Sequence, residues 1–221
     1  MTDAHCHVAR GAERYFICSA PDDADGADDA SFCGFHPWFL AGYSRDALER
    51  VLAANPRIGV GEIGLDRLRE KTIPDAMRTA FREQLELAAR YSRPVVLHGA
   101  KCWGEVYREA REFHPRIPAF LFHGFSRSGG LIPDIAKING FISVGPALLN
   151  DHAVNYRALA ASIPDEMLLV ESDRTAENAA IVPPVADIAA KLAELRGVGV
   201  DALVALLESN ARRFQLRNEE Y

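Results

Sequence analysis

Eight short apolar segments recur along the chain, and most are followed by a stretch with helical periodicity. Several are continuous apolar runs, the pattern of parallel strands that are covered on both faces. The predicted strands are Thr2–Val8, Tyr15–Ala20, Phe32–Trp38, Ile58–Leu65, Pro94–His98, Ala119–His123, Gly140–Val144 and Met167–Val170. Strands that alternate with helices favour a (β/α)8 TIM barrel, although a doubly wound sheet shares the same local pattern.

Amphipathic helices are predicted between the later strands. In the longest of them, Pro74–Tyr91, the residues Met77, Phe81, Leu85 and Ala88 share one face. The others are Arg45–Ala54, Gly104–Phe113, Gly130–Asn139, His152–Ser162, Pro184–Arg196 and Asp201–Phe214.

The first two connections do not resemble barrel helices. Only a short stretch, about residues 9–13, separates the first two predicted strands, and residues 21–30 are acidic and contain glycine. A parallel crossover needs roughly a dozen residues or more. We therefore expect a trimmed barrel, with the first one or two helices shortened or missing, in a single domain over residues 1–221.

Composition narrows the class of protein further. A net charge of −6 argues against extensive binding of duplex nucleic acid but leaves room for a small pocket that handles one phosphate. No apolar run is long enough for a membrane span, and no basic and apolar leader opens the sequence, so we expect a cytoplasmic protein. The four cysteines form no CxxC pair, which favours buried free thiols.

Residues that commonly bind metals stand at the ends of the predicted strands. His5 and His7 are two apart, so both side chains point to one side of a strand. His98 and His123 each end a strand, and Asp173 follows another. One such histidine is usually structural, but barrel enzymes build their sites at these strand ends, and the set together predicts a metal site.

Glu62 lies inside the apolar strand Ile58–Leu65. Burying an unpaired carboxylate costs several kcal/mol or more, so this one must be paired or bound to a cation. It is the sixth candidate ligand.

The chain resembles the TatD family of metal-dependent hydrolases and DNases, within the amidohydrolase-like barrels. The similarity extends over nearly the whole chain and rests on the following motifs: Asp3-Ala4-His5-Cys6-His7, Gly34-Phe35-His36-Pro37, Gly61-Glu62-Ile63-Gly64-Leu65-Asp66, Pro94-Val95-Val96-Leu97-His98, His123-Gly124-Phe125-Ser126, Glu171-Ser172-Asp173 and Asn210-Ala211-Arg212-Arg213-Phe214.

This resemblance implies a binuclear site. His5, His7 and Asp173 would hold one divalent ion. His98 and His123 would hold the other, and Glu62 would bridge the two ions. Such ions activate water for attack on a phosphodiester, with Asp173 as general base. Zinc, manganese and magnesium all remain open. DNA or a short nucleic acid is the implied substrate.

Departures from the family pattern bear on the substrate. The family arginine after the fifth strand is absent, since Ala100 stands in its place and Lys101 follows. Lys101 and Arg127 are candidate substrate-binding residues, although a lysine lacks the bidentate fork that suits a phosphate. His36 has two open interpretations, a substrate contact or a hydrogen-bonded turn residue.

Two further side chains leave their roles open. Packing is favoured over base stacking for Trp38, while Asp66 either orients a ligand histidine or serves a local turn.

The leading interpretation is a metal-dependent deoxyribonuclease or phosphodiesterase that acts on ester bonds. The alternatives are a related hydrolase of a non-nucleic-acid ester or amide, and a catalytically inactive metal-binding barrel. The sequence leaves the oligomeric state, the metal and the true substrate open.

Overall fold

Eight parallel strands form one sheet whose order follows the chain from β1 to β8. The computed structural model describes residues 1–10, 14–21, 30–69, 71–126 and 128–215. The strands are β1 (Thr2–Cys6), β2 (Arg14–Ser19), β3 (Ala30–Cys33), β4 (Gly59–Asp66), β5 (Val95–Ala100), β6 (Phe120–Phe122), β7 (Gly140–Val144) and β8 (Leu168–Val170). The predicted (β/α)8 TIM barrel is therefore confirmed.

The seam between the first and last strands is joined just beyond the end of β8. The backbone N–H of Asp173 donates to the carbonyl of His5 at 3.0 Å, and the N–H of His7 donates to the carbonyl of Arg174 at 2.8 Å. These bonds bring β1 and the segment after β8 together at the carboxyl end of the barrel. They also fix the backbone of three candidate ligands.

Seven α-helices lie within the described residues. They are α1 (Arg45–Ala54), α2 (Asp75–Arg90), α3 (Trp103–Ala110), α4 (Ile132–Ala136), α5 (Val154–Ser162), α6 (Val185–Arg196) and α7 (Val200–Gln215). None of them falls between β1 and β2 as far as that connection is described, in agreement with the trimmed barrel. The acidic residues of the second connection, 22–29, lie outside the described residues. No described helix is long and apolar enough to cross a membrane.

The third strand differs from its prediction. The sequence pattern placed it at Phe32–Trp38, whereas the strand ends at Cys33 and the chain then turns, with the N–H of Phe39 bonded to the carbonyl of His36 at 3.0 Å. Pro37 cannot donate to a strand ladder, which explains the early end. The turn brings His36 over the mouth of the barrel instead of leaving it within the sheet.

The lower half of the barrel is filled with apolar side chains. Phe16, Phe32 and Phe141 point into one buried cluster, and Phe214 of α7 packs against all three with ring centroids 5.5–5.8 Å apart. Aromatic side chains of this size contribute strongly to burial. The amino end is therefore closed, and polar chemistry is confined to the carboxyl end of the strands.

Candidate metal centre

The four predicted histidine ligands converge on the carboxylate of Glu62, itself a predicted ligand. Its Oε2 atom lies 3.5 Å from Nε2 of His5 and 3.4 Å from Nε2 of His7. Its Oε1 atom lies 2.7 Å from Nδ1 of His98 and 2.5 Å from Nε2 of His123. The two oxygens thus face two different pairs of imidazoles.

Asp173 completes the first of these groups. Its Oδ1 atom lies 3.5 Å from Nε2 of His5 and 3.8 Å from Nε2 of His7. The residue has a φ of 48°, a left-handed conformation that aspartate adopts more readily than most residues. Because about half of its side chain is exposed, at 53%, the carboxylate is accessible to solvent.

Strand geometry explains how these side chains meet. The alternation of β1 turns His5 and His7 to the same side, while Cys6 points away into a fully buried position. Glu62 is supplied by β4 and His98 by β5, and both strands lead to the same carboxyl edge. The ligands therefore come from separate strands, as expected for a barrel site.

In two of the histidines, the ring nitrogen that points away from Glu62 faces an oxygen acceptor. Nδ1 of His7 lies 3.1 Å from the carbonyl oxygen of Cys18, and Nε2 of His98 lies 2.9 Å from Oδ2 of Asp66. An acceptor on the far nitrogen places the proton there and leaves the near nitrogen free to bind a metal. The orienting role that the sequence left open for Asp66 is thus matched by its position.

The other two histidines have less ordinary neighbours. Nδ1 of His5 lies 3.4 Å from the buried thiol of Cys18, and Nδ1 of His123 lies 3.5 Å from Oε1 of Glu171. Glu171 is buried, and it accepts a hydrogen bond from the hydroxyl of Ser143.

Electrostatics at the centre favour an ionised Glu62. Burial would raise the pKa of this carboxyl, but the imidazoles of His123 and His5 hold it well below its ordinary value. Burial would lower the pKa of His123, but the Glu62 carboxylate outweighs burial and raises the pKa of His123 to about 10. The buried carboxylate attracts positive charge, and this attraction is what a metal cation would satisfy.

The donor set fits a divalent metal. Three overlapping groups bring ligand atoms within 4.8 Å of one another: His5 with His7 and Asp173, His5 with Glu62 and His123, and His36 with Glu62 and His98. Nε2 of His5 is buried without a hydrogen-bond partner among the described residues. Imidazole nitrogens and carboxylate oxygens in this mixture suit zinc or manganese, and carboxylates also suit magnesium.

His36 is placed as a hydrogen-bond donor. Its Nδ1 atom accepts from the backbone N–H of Trp38 at 3.1 Å, so the ring proton is on Nε2, which lies 3.6 Å from Oε1 of Glu62. Burial lowers the pKa of His36 to about 4, which keeps the ring neutral. Because a protonated nitrogen cannot ligate a metal, His36 suits an anionic substrate better than an ion.

A cavity of about 760 Å³ opens beside this centre. Among the residues that line it are three candidate ligands, His98, His123 and Asp173, together with Lys101 and Arg108. Lys101 therefore lies where the sequence predicted a substrate contact. Arg127, the other predicted cation, falls outside the described residues.

Two residues near the centre have contacts that the sequence does not predict. The sequence indicates only that Cys18 is a buried thiol, and its contact with His5 depends on the pairing of β1 with β2, which no motif reveals. Trp38 is 38% exposed, with the guanidinium of Arg69 4.2 Å from its ring, so it is less buried than the packing interpretation expected.

Comparison with known proteins finds relatives named as a nuclease and as a metal-dependent hydrolase. The chain is 29% identical over 147 residues to the 3'-5' ssDNA/RNA exonuclease TatD of Dickeya dadantii, an alignment that covers 65% of this chain and 56% of the relative. It is 24% identical over 192 residues to the metal-dependent hydrolase YabD of Bacillus subtilis, covering 81% and 74%. The chain thus spans little more than half of the Dickeya protein.

The solved structures share the fold. The crystal structure of YjjV, a TatD homologue from Escherichia coli, superimposes with a TM-score of 0.79 at 22% identity and covers 96% of both chains. The family model described as TatD related DNase matches residues 24–215. Since this match covers most of the sequence, the chain belongs to the TatD family of metal-dependent hydrolases.

Proposed function

We propose that the protein is a phosphodiesterase that cleaves single-stranded nucleic acid with water activated at a binuclear metal centre. The observation that carries the proposal is the arrangement around Glu62, whose two oxygens face two separate pairs of imidazoles. This arrangement suits a carboxylate that bridges two ions. The relative named as a 3'-5' ssDNA/RNA exonuclease supports the choice of substrate.

The six residues divide between the two ions. His5, His7 and Asp173 would hold the first, and Glu62 would bridge it to the second; the second would be held by His98 and His123. When bound, such ions lower the pKa of water and stabilise the oxygen that leaves in phosphodiester cleavage.

The protein's own side chains supply the rest. Asp173 is half exposed and stays ionised, because the His5 imidazole outweighs burial and holds its pKa low. It is placed to accept a proton from the attacking water. His36 presents a neutral N–H towards the same space, where it can donate to a non-bridging oxygen of the phosphate. The acceptors behind His7 and His98 hold the rings of these two histidines in place beside Glu62.

Metal removal and restoration tests the proposal. Protein stripped with a chelator should lose cleavage of a fluorescently labelled single-stranded oligonucleotide, and zinc, manganese or magnesium added singly should restore it. Elemental analysis of the purified protein should find about two ions per chain if both groups are filled. Labels at either end of the oligonucleotide report the direction of cleavage.

Two conservative variants locate the activity. Glu62→Gln removes the bridging charge and Asp173→Asn the proton acceptor, and each should lower kcat by at least about a hundredfold. Glu166→Gln is the matched control, since Glu166 is exposed and precedes β8, whereas Asp173 follows the other end of that strand. Retention of full cleavage by both site variants would contradict the assignment.

The absence of an arginine at Ala100 favours a second candidate, a TatD-like hydrolase of a smaller ester or amide. A nitrophenyl ester included in the same assay distinguishes the two, since its cleavage without cleavage of any oligonucleotide supports the second candidate. Binding of metal in fixed proportion with no turnover of either substrate indicates an inactive barrel.

A further inference from the structure

One wall of the cavity beside the metal centre carries two positive side chains, Lys101 and Arg108, which we call the cationic wall. Both are exposed, and both line the cavity that His98, His123 and Asp173 also line. Lys101 comes from the loop after β5, three residues beyond His98, and Arg108 comes from the last turn of α3.

Three arginines on the neighbouring elements are neutralised by glutamates. Arg67, Arg78 and Arg82 all form ion pairs with glutamates of α3 and the turn after it. Glu105, which also lines the cavity, is shared between Arg67 and Arg78. Salt bridges of this kind occupy the acids that could otherwise reach the cavity.

The cationic wall has no such partners. Within the part of the chain that the structure describes, neither the Lys101 ammonium nor the Arg108 guanidinium has a salt bridge or hydrogen bond. Apart from Asp173, Glu105 is the one carboxylate among the residues that line the cavity, and it is already paired. The cavity therefore offers net positive charge to a ligand, although the whole chain is acidic.

We propose that the cationic wall binds the phosphate that flanks the scissile one in a single-stranded oligonucleotide. The inference rests on the proposed function, since it names the part of the substrate that lies beyond the metal centre. A fully dissociated phosphate is the ligand that two unpaired cations at one cavity wall would select. The metal centre would accommodate the scissile phosphate, leaving the wall for its neighbour.

This assignment also explains how the chain functions without the arginine at Ala100. A guanidinium is supplied by Arg108, from a helix instead of a strand end, and an ammonium by Lys101. Arg108 alone offers the planar fork that matches a phosphate, so it is expected to contribute more than Lys101.

Dinucleotides with and without a terminal phosphate test the inference. The compounds are TpT, which contains only the scissile phosphate, and pTpT and TpTp, which add a flanking phosphate on one side or the other. The measured quantity is kcat/KM for each phosphorylated compound relative to TpT. Wild-type protein should favour one of the phosphorylated compounds by roughly tenfold or more, the scale of one charged hydrogen bond.

Variants of the wall should remove that preference. Arg108→Ala should lower the ratio roughly tenfold, Lys101→Ala by less, and Arg108→Lys should recover part of it. With a long single-stranded oligonucleotide as substrate, the magnitude of the slope of log kcat/KM against log salt should fall by about 0.7 for each cation lost. Arg111→Ala is the matched control, because Arg111 is exposed just beyond α3 and does not line the cavity.

Binding measured without turnover separates this inference from the proposed function. Fluorescence anisotropy of a labelled oligothymidylate, with chelator present, should show weaker binding by Arg108→Ala than by Arg111→Ala. If no substrate is cleaved but this difference is seen, the wall is supported and the proposed function fails. An unchanged ratio and unchanged binding in the wall variants, or an equal loss in the control, would overturn the inference.

Discussion

Replacing Asp66 by asparagine tests whether the orientation of His98 governs metal binding. Both oxygens of the buried Asp66 carboxylate are used: Oδ1 accepts from the backbone N–H of Leu68 at 2.5 Å, and Oδ2 lies 2.9 Å from Nε2 of His98. Burial would raise the pKa of Asp66, but the hydrogen bonds from His98 and Leu68 lower it. The native residue is thus an ionised acceptor on both sides.

Asparagine cannot reproduce this arrangement. Its amide nitrogen must face either the N–H of Leu68 or Nε2 of His98, and both positions need an acceptor. If the nitrogen faces His98, the ring proton moves to Nδ1, the atom that lies beside Glu62, and this atom is lost as a ligand. Removal of such an orienting acceptor typically weakens metal binding about 10- to 100-fold, or roughly 1.4–2.7 kcal/mol.

The assay is a titration of chelator-stripped protein with zinc or manganese in competition with a coloured chelator. Asp66→Asn should show one weakened site and one site close to wild type, since His5 and His7 do not contact Asp66. Asp46→Asn is the matched control, because it loses the same charge at an exposed position. Wild-type affinity at both sites of a folded Asp66→Asn protein, or equal weakening in the control, would refute the reasoning.

Two further variants test stability. Glu109→Gln removes an acceptor of Arg78 and Arg82, so it should lower the free energy of unfolding at pH 7 by about 1 kcal/mol. Burial would raise the pKa of Glu109, but the pairing with Arg82 outweighs burial and lowers it, so the stability that Glu109 contributes is present above pH 4.5 and is lost as the pH falls below it. The urea midpoints of wild type and Glu109→Gln should therefore converge from pH 5 towards pH 3, and a constant gap between them would contradict this. Asn210→Ala removes two hydrogen bonds from the buried Asn210 amide to the carbonyl oxygens of Asp165 and Leu168, so it should cost about 3 kcal/mol in thermal unfolding. A loss below about 0.5 kcal/mol, as expected for the exposed Ser209→Ala control, would count against the role of Asn210.

Much of the fold follows from the periodicity of apolar residues. The helix at Arg45–Ala54 and the strand at Gly140–Val144 have the bounds that the pattern predicts. These segments have a strong apolar repeat with clear polar limits, and Ser44 caps the helix through its side chain. The third strand was misplaced because the apolar residues Phe35 and Trp38 flank a turn, and a turn residue can be apolar without being part of a sheet.

The candidate ligands were predictable for a different reason. Parallel strands of one barrel share a carboxyl edge, so polar residues at several strand ends must meet there whatever the loops do. His98 and His123 could be placed on this ground without any knowledge of side-chain geometry. The role of each nitrogen could not, because it depends on which acceptor lies behind the ring.

The register between strands determines which acceptor lies behind each histidine ring. The pairing of β1 with β2 shifts between Asp3 and Cys6, and the shift accompanies the contacts of Cys18 with both His5 and His7. A regular ladder would put a different residue behind the two histidines. The same argument applies to Arg108, whose distance from the metal centre depends on the packing of α3 against the barrel. The candidate ligands therefore follow from topology. The residues that orient those ligands or line the cavity follow from register and helix packing, which a single sequence does not specify.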